Sequence, residues 1–243
     1  VKNWKVVPIC ERQKLDIRRD DLLCDGDFRK CDVYRSGSGY DKFPYIYDRR
    51  FGKRLHNQFV VQLFGCPLDC FYCYVTPDGI WGDYKIYHSN ELVKTFLNSG
   101  QEVFHLMGGA PGLYVEDWFD IVERLPERFV FHSDLLLIEK PYKKEYLRYI
   151  NKNVLLAVDI KGTSPENFLQ NTRRPFNSKL FWNNLDVVVN SGVSFYLTFT
   201  NPGKELVAFK ATLAQRFGTS ALKDSFVIDL IKYNACAVFP VYP

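Results

Sequence analysis

The sequence predicts an α/β fold, a partial (βα)6 TIM-like barrel preceded by an irregular N-terminal extension. Three observations carry this expectation. From residue 58 onward, apolar runs alternate with amphipathic ones. Loops rich in Cys or Gly follow the first two apolar runs, Phe59–Leu63 and Val103–Met107. Residues 1–57 hold no sustained helical or strand period and carry turn signals such as Cys24-Asp25-Gly26-Asp27 and Ser36-Gly37-Ser38-Gly39. The expected division is therefore 1–57, a tyrosine-rich arm, and 58–243, one barrel domain.

Taken in order, the strand candidates are Phe59–Leu63, Val103–Met107, Arg128–Phe131, Val154–Ile160, Ser194–Phe199 and Phe226–Leu230. Helical candidates lie between them near Asn90–Asn98, Val115–Arg124, Lys144–Ile150, Lys179–Asn190 and Glu205–Arg216. Ser89 and Asn90 precede Leu92, Val93, Phe96 and Leu97, a helix start followed by one apolar face. Alternating β and α units imply a parallel sheet with right-handed crossovers, and functional groups at the carboxyl ends of its strands.

The bulk numbers fit a single domain: 243 residues, 47% hydrophobic, suffice for one filled core. Seven cysteines are an odd number, and three of them crowd into residues 66–73. That distribution suits a reducing compartment and thiolates used as metal ligands better than a disulfide framework. With no signal-peptide pattern and no long apolar stretch, the expected location is cytoplasmic and no membrane partner is expected. The formal charge of +4 is uneven: residues 1–54 carry +5 and the rest −1. The interspersed acids read as a solvated surface, well short of a strongly basic nucleic-acid domain.

The run Gly65-Cys66-Pro67-Leu68-Asp69-Cys70-Phe71-Tyr72-Cys73 sets cysteines at C-x3-C-x2-C directly after the first strand candidate. A tight loop can aim all three thiolates at one point, giving a [4Fe-4S] cluster three ligands and leaving its fourth iron open for chemistry. Clusters that only transfer electrons usually take four cysteines. Two other readings of these residues are open. Cys70–Cys73 has the spacing of a zinc half-site, although no second C-x2-C or H-x3-H partner exists among four histidines. A redox dithiol is the other, and it leaves Cys66 without a role.

At the end of the second strand candidate stands Leu106-Met107-Gly108-Gly109-Ala110-Pro111-Gly112, where glycines allow a ligand close to the backbone. Val158-Asp159-Ile160-Lys161-Gly162 ends the fourth, and His132-Ser133-Asp134 follows the third. A strand-end charge pair or helix cap is the plain reading of Asp159 and Lys161.

The cysteine spacing, its place after the first strand and the following Gly-Gly-x-Pro resemble the radical S-adenosylmethionine (radical SAM) superfamily over about residues 58–235. The resemblance implies that Cys66, Cys70 and Cys73 ligate the cluster and that the open iron binds the amino and carboxylate groups of S-adenosylmethionine (SAM). Tyr72 stands where these proteins carry an aromatic near the adenine, and Gly108, Gly109 and Pro111 would shape the loop at the methionyl amine. Ala110 replaces the glutamate usual there. The Asp-Ile-Lys segment is similar to that of the glycyl-radical-enzyme activases, which implies a monovalent cation beside SAM held by Asp159 with Ser133 and Asp134. Activases place an arginine on the fifth strand; this chain has Tyr196 and Thr198, and Thr198 is the candidate to meet SAM instead. Cys10, Cys24 and Cys31 could hold an auxiliary cluster, although gaps of 14 and 7 match no compact ligand spacing.

Function, on this resemblance, is reductive cleavage of SAM to a 5′-deoxyadenosyl radical that abstracts hydrogen, fed by an electron donor such as flavodoxin or ferredoxin. The activase-like size favours a protein or peptide substrate. A nucleoside or RNA base is the alternative, with Arg49, Arg50, Lys53 and Arg54 available to phosphate. A non-catalytic iron–sulfur or zinc protein is the third class.

Overall fold

The computed structural model describes residues 2–8, 23–25, 28–32, 47–48, 53–54, 57–73, 75, 77–149, 152–223 and 225–228. In chain order these form β1 (Asn3–Val6), β2 (Leu23–Asp25), β3 (Phe28–Asp32), β4 (Tyr47–Asp48), β5 (Lys53–Arg54) and β6 (Asn57–Gln62). Then follow α1 (Pro77–Trp81), β7 (Lys85–His88), α2 (Ser89–Asn98), β8 (Val103–Met107), α3 (Trp118–Val122), β9 (Val130–Leu135) and β10 (Asn153–Ile160). The remaining elements are α4 (Pro165–Thr172), α5 (Ser178–Val189), β11 (Ser194–Thr200), α6 (Leu206–Phe217) and β12 (Ser225–Ile228).

Six parallel strands, β6, β8, β9, β10, β11 and β12, stand side by side in sequence order. They correspond to the six strand candidates, and the architecture is the expected α/β partial barrel. The β6 edge is occupied by β3, which pairs antiparallel, with β2 beyond it. Helices pack against one face of the sheet. Leu92, Val93 and Phe96 of α2, Trp118 and Ile121 of α3, Phe181 and Leu185 of α5 and Leu213 of α6 all enter the same core as Phe59, Phe104, Phe131, Leu156 and Leu197 of the strands. Helix α2 starts where Ser89 and Asn90 suggest, and the Glu91 carboxylate turns back to accept the His88 backbone N–H at 2.7 Å.

Several local features differ from the sequence expectation. The stretch expected as one helix over Val115–Arg124 is a 3-10 helix, Pro111–Asp117, followed by the short α3, and the Lys144–Leu147 segment is likewise 3-10. Helix α4 is additional: Ser164 caps it by accepting the Asn167 N–H at 3.1 Å, Pro165 occupies its first turn, and Arg173 ends it in the left-handed region. Within the arm, β1 is a strand whose Trp4 and Val6 are fully buried; it pairs with β7, and the Trp4 indole N–H donates to Ser89 Oγ at 2.9 Å. The arm also supplies β2 and β3 to the main sheet. Cys24 and Cys31 lie on those two strands, while Cys10, Cys236, Arg49, Arg50 and the Ser36–Gly39 turn fall outside the described residues.

Candidate active site

Side chains of a strand alternate between faces, and here the two faces differ in chemistry. The helix-covered face takes Phe59, Val61, Phe104, Leu106, Phe131, Leu135, Leu156, Val158, Leu197 and Phe199. The intervening positions form the barrel interior, where Gln58 and Gln62 on β6, His105 on β8, His132 and Asp134 on β9, Asp159 on β10, and Tyr196, Thr198 and Thr200 on β11 stand among Val60, Met107, Val130, Leu155 and Ala157. A barrel closed on its own side chains would be lined by aliphatic residues. This one presents donors and acceptors inward, as a binding site for a polar ligand requires.

Three of these side chains carry an atom without a partner among the described residues: Gln58 Nε2, Gln62 Oε1 and His132 Nδ1 are buried without a hydrogen bond. Leaving such groups unmet costs roughly 1–3 kcal/mol each. These atoms lie on the inner face, while Trp118 Nε1 and Ser133 Oγ, on the helix-covered side, are likewise unmet among the described residues.

The cysteine loop leaves β6 at its carboxyl end. Its position is fixed from three sides, by Gly65 N–H to the Ile80 carbonyl at 2.9 Å, Ala110 N–H to the Gly65 carbonyl at 2.7 Å, and Asp69 N–H to the Thr172 carbonyl at 3.1 Å. A turn brings Cys73 N–H to the Cys70 carbonyl at 3.0 Å. Cys66, Cys70 and Cys73 are in no disulfide and of intermediate exposure, and Cys66 and Cys70 pack against Leu68, Ala110, Leu136 and Phe168. Burial, with a smaller part from the nearness of Cys73, pushes the Cys66 thiol up to about 12 and the Cys70 thiol up to about 11, Lys161 opposing the rise at Cys70. Three mutually repelling thiolates in an apolar setting need a cation to exist, and a metal centre is the partner that deprotonates them. Tyr72 is buried between Cys70 and Lys161, with the Lys161 ammonium 6.0 Å from its ring centre.

Gly108 and Gly109 both adopt left-handed conformations, at φ +69° and +56°. A Cβ on Gly109 would stand 2.2 Å from the Leu63 carbonyl oxygen and 2.6 Å from that of Gly65. The close approach expected of a ligand is thus made by the chain's own β6 backbone, so this glycine docks the Gly-Gly-x-Pro loop onto the cysteine loop. Ala110, where the resemblance expects a glutamate, is fully buried. A carboxylate does stand nearby, from another segment: Glu139 accepts the N–H groups of Leu136 at 2.8 Å and Ile138 at 3.0 Å and the Tyr142 hydroxyl at 2.7 Å, directly behind Gly112.

At the ends of β10 and β11, Asp159 accepts a hydrogen bond from Thr198 at 2.5 Å and pairs with Lys161 at 3.2 Å. Burial works against the Lys161 charge, but Asp159, Tyr72 and Cys70 outweigh it and hold the ammonium well above its ordinary range. Burial raises the Asp159 carboxyl, with Asp134 adding to the rise and Lys161 opposing it. Two buried amides of α4 fix these strand ends. Asn171 donates to the Lys161 carbonyl at 2.7 Å and the Asn201 carbonyl at 3.1 Å, and Asn167 Oδ1 accepts from Thr163 N–H at 3.0 Å and Gly203 N–H at 3.1 Å.

Of the residues picked out in the sequence, the structure gathers Cys66, Cys70, Cys73, Tyr72, Asp159 and Thr198 at the carboxyl ends of the strands, with Gly108, Gly109 and Pro111 bordering them. Asp134 is on the inner face. Ser133 is not: it belongs to the alternate set of β9 with Phe131 and Leu135, fully buried towards the helices. Gln58, Gln62, His105, His132, Asn167 and Asn171 were not legible as site residues.

The chain matches the family description "Radical SAM superfamily" over residues 60–214, more than half its length. It belongs to the radical SAM superfamily. No curated protein matches it. Solved structures that resemble it include "Native anSMEcpe with bound AdoMet", at 17% identity and a TM-score of 0.48, covering 68% of this chain and 49% of that one. Two more are "Native anSMEcpe with bound AdoMet and Cp18Cys peptide", at 17% identity and TM-score 0.46 over 68% and 48%, and "Native anSMEcpe with bound AdoMet and Kp18Cys peptide", at 15% and 0.45 over 68% and 48%. The present chain spans about half the length of these proteins. Radical SAM membership implies a [4Fe-4S] cluster and SAM as cofactors. Three partly buried thiols on one short loop, polar side chains on the inner face and a glycine loop locked against the cysteine loop fit both groups. No helix among the described residues is long and apolar enough to cross a membrane.

Proposed function

We propose that the protein is a radical SAM enzyme in which Cys66, Cys70 and Cys73 hold a [4Fe-4S] cluster and the barrel mouth holds SAM. The observation that carries this reading is the placement of Cys66, Cys70 and Cys73, partly buried and in no disulfide, at the end of a sheet whose inner face carries Gln58, Gln62, His132, Asp134 and Asp159. The chemistry supplied when both groups are bound is one-electron cleavage of SAM to methionine and a 5′-deoxyadenosyl radical, followed by hydrogen abstraction, with the electron delivered by a donor such as flavodoxin or ferredoxin. The chain's own part is placement and exclusion of water. In this proposal Gly108, Gly109 and Pro111 border the methionyl amine, Tyr72 lies beside the adenine, and Asp159, Thr198 and Asp134 receive the polar groups of SAM or a monovalent cation. Ser133, on the opposite face of β9, drops out of that set. Lys161, charged and close to Cys70, favours electron addition to the centre those thiolates hold.

For the substrate we favour a carbon of a protein or peptide, as in the activases, on the Asp159-Ile160-Lys161 segment ending the fourth parallel strand. Anaerobically reconstituted protein, given SAM and a reductant, should form 5′-deoxyadenosine. Supplied separately with a deuterated peptide pool and with deuterated RNA, it should move deuterium into 5′-deoxyadenosine from the peptides. Transfer from RNA, retained in a salt-sensitive way, would overturn the substrate class. Absence of 5′-deoxyadenosine under every condition would overturn the enzyme reading.

A further inference from the structure

Deeper in the barrel than the cysteine loop lies a cluster of which the proposed SAM site draws only on Asp134. His105 and His132 are directly opposite one another in the parallel register of β8 and β9, and Asp134 follows His132 by two residues on the same face. The two imidazole rings are 4.1 Å apart, centre to centre. One ligand atom from each of the three side chains falls within 4.8 Å of the others.

We propose that His105, His132 and Asp134 form a mononuclear site for a divalent first-row transition ion, with coordination positions left open towards the barrel interior. Two imidazoles and one carboxylate are the donor set that suits zinc, iron, cobalt or nickel, in an arrangement with room for an exogenous oxygen ligand. The geometry is already close. His105 Nε2 lies 3.4 Å from Asp134 Oδ1, and ligands about 2.0–2.1 Å from a tetrahedral ion stand about 3.3 Å apart. The outer shell is in place too: the Gln58 amide oxygen lies 2.6 Å from His105 Nδ1 and orients the ring with its Nε2 towards the carboxylate. His132 completes the set, its Nε2 engaged with the Tyr196 hydroxyl at 3.0 Å and its Nδ1 buried without a partner. The open positions would face Asp159 and Thr198, so the ion is suited to hold an oxygen of a molecule bound in the barrel.

The test adds Co(II) alone to the cluster-loaded full-length protein and reads bound cobalt per chain together with paramagnetically shifted imidazole N–H resonances. One cobalt per chain with signals from two imidazoles is expected. Both should persist when His56 and His88, the only other histidines, are replaced together by Ala. They should also persist when Cys66, Cys70 and Cys73 are replaced by Ala, which separates this site from the proposed cluster. His105→Ala or His132→Ala should weaken cobalt binding by more than about 100-fold, beyond the loss typical of an outer-shell partner. Failure of the parent protein to bind cobalt, or cobalt bound without two imidazole signals, overturns the proposal with no variant needed. Loss of the signals in the His56 and His88 double variant overturns it equally.

Discussion

Replacing Gly109 by Ala separates two costs that are usually confounded. The first is conformational: at φ +56° an L side chain is strained by about 1–2 kcal/mol. The second is steric, since the new Cβ would sit 2.2 Å and 2.6 Å from the Leu63 and Gly65 carbonyl oxygens. Relief requires the two backbones to part, which stretches the 2.7 Å bond from Ala110 N–H to the Gly65 carbonyl. A buried backbone pair left unmade costs about a further 1–3 kcal/mol. Gly192 is the control: it has φ +79° and no atom within 4 Å of an added methyl, so Gly192→Ala carries the conformational cost alone. Urea unfolding of the cluster-free protein should therefore show a loss of about 1–2 kcal/mol for Gly192→Ala and about 3 kcal/mol or more for Gly109→Ala. Iron retained after anaerobic reconstitution should fall only in the Gly109 variant, because the loop it displaces carries Cys66. Equal losses in the two variants would refute the account of Gly109 as the clasp between the two loops.

Two further outcomes follow from buried charge. Glu139→Ala leaves the Leu136 and Ile138 N–H groups and the Tyr142 hydroxyl without their acceptor, and should cost about 3 kcal/mol or more in urea unfolding; Glu139→Gln, which keeps an acceptor, should lose distinctly less, and equal losses would contradict the assigned role. Asp159→Ala strands the Lys161 ammonium, whose side chain is 15% exposed, and should cost about 3–5 kcal/mol; combining it with Lys161→Met should recover part of that loss, whereas additive losses would show that the pair does not interact.

The parallel strands were legible because each is a short apolar run, and α2 because Leu92, Val93 and Phe96 recur on one face. Helix α4 was not, since its Asn167 and Asn171 are buried through amide hydrogen bonds to the ends of β10 and β11, and a polar residue in sequence reads as exposed. Strand β1 was missed for a different reason: four residues give too short a period, and its pairing with β7 is made at long range. The cysteine loop and Gly-Gly-x-Pro announced themselves by spacing, but the physical role of Gly109 depends on where the Leu63 carbonyl lies. His105 and His132 looked like single polar residues in apolar strands. A signal was present in the alternation itself, with Gln58, Gln62, His105, His132, Asp134, Asp159, Tyr196 and Thr198 all on one parity, and it becomes readable only once the helix-covered parity is known.

Electron paramagnetic resonance of the reduced, anaerobically reconstituted protein, recorded before and after SAM is added, tests the central claim most directly. The account predicts about four irons per chain, a reduced-cluster signal that changes shape when SAM binds, and loss of that signal when Cys66, Cys70 and Cys73 are replaced by Ala. Stoichiometric zinc without iron, or a cluster signal indifferent to SAM, would contradict it.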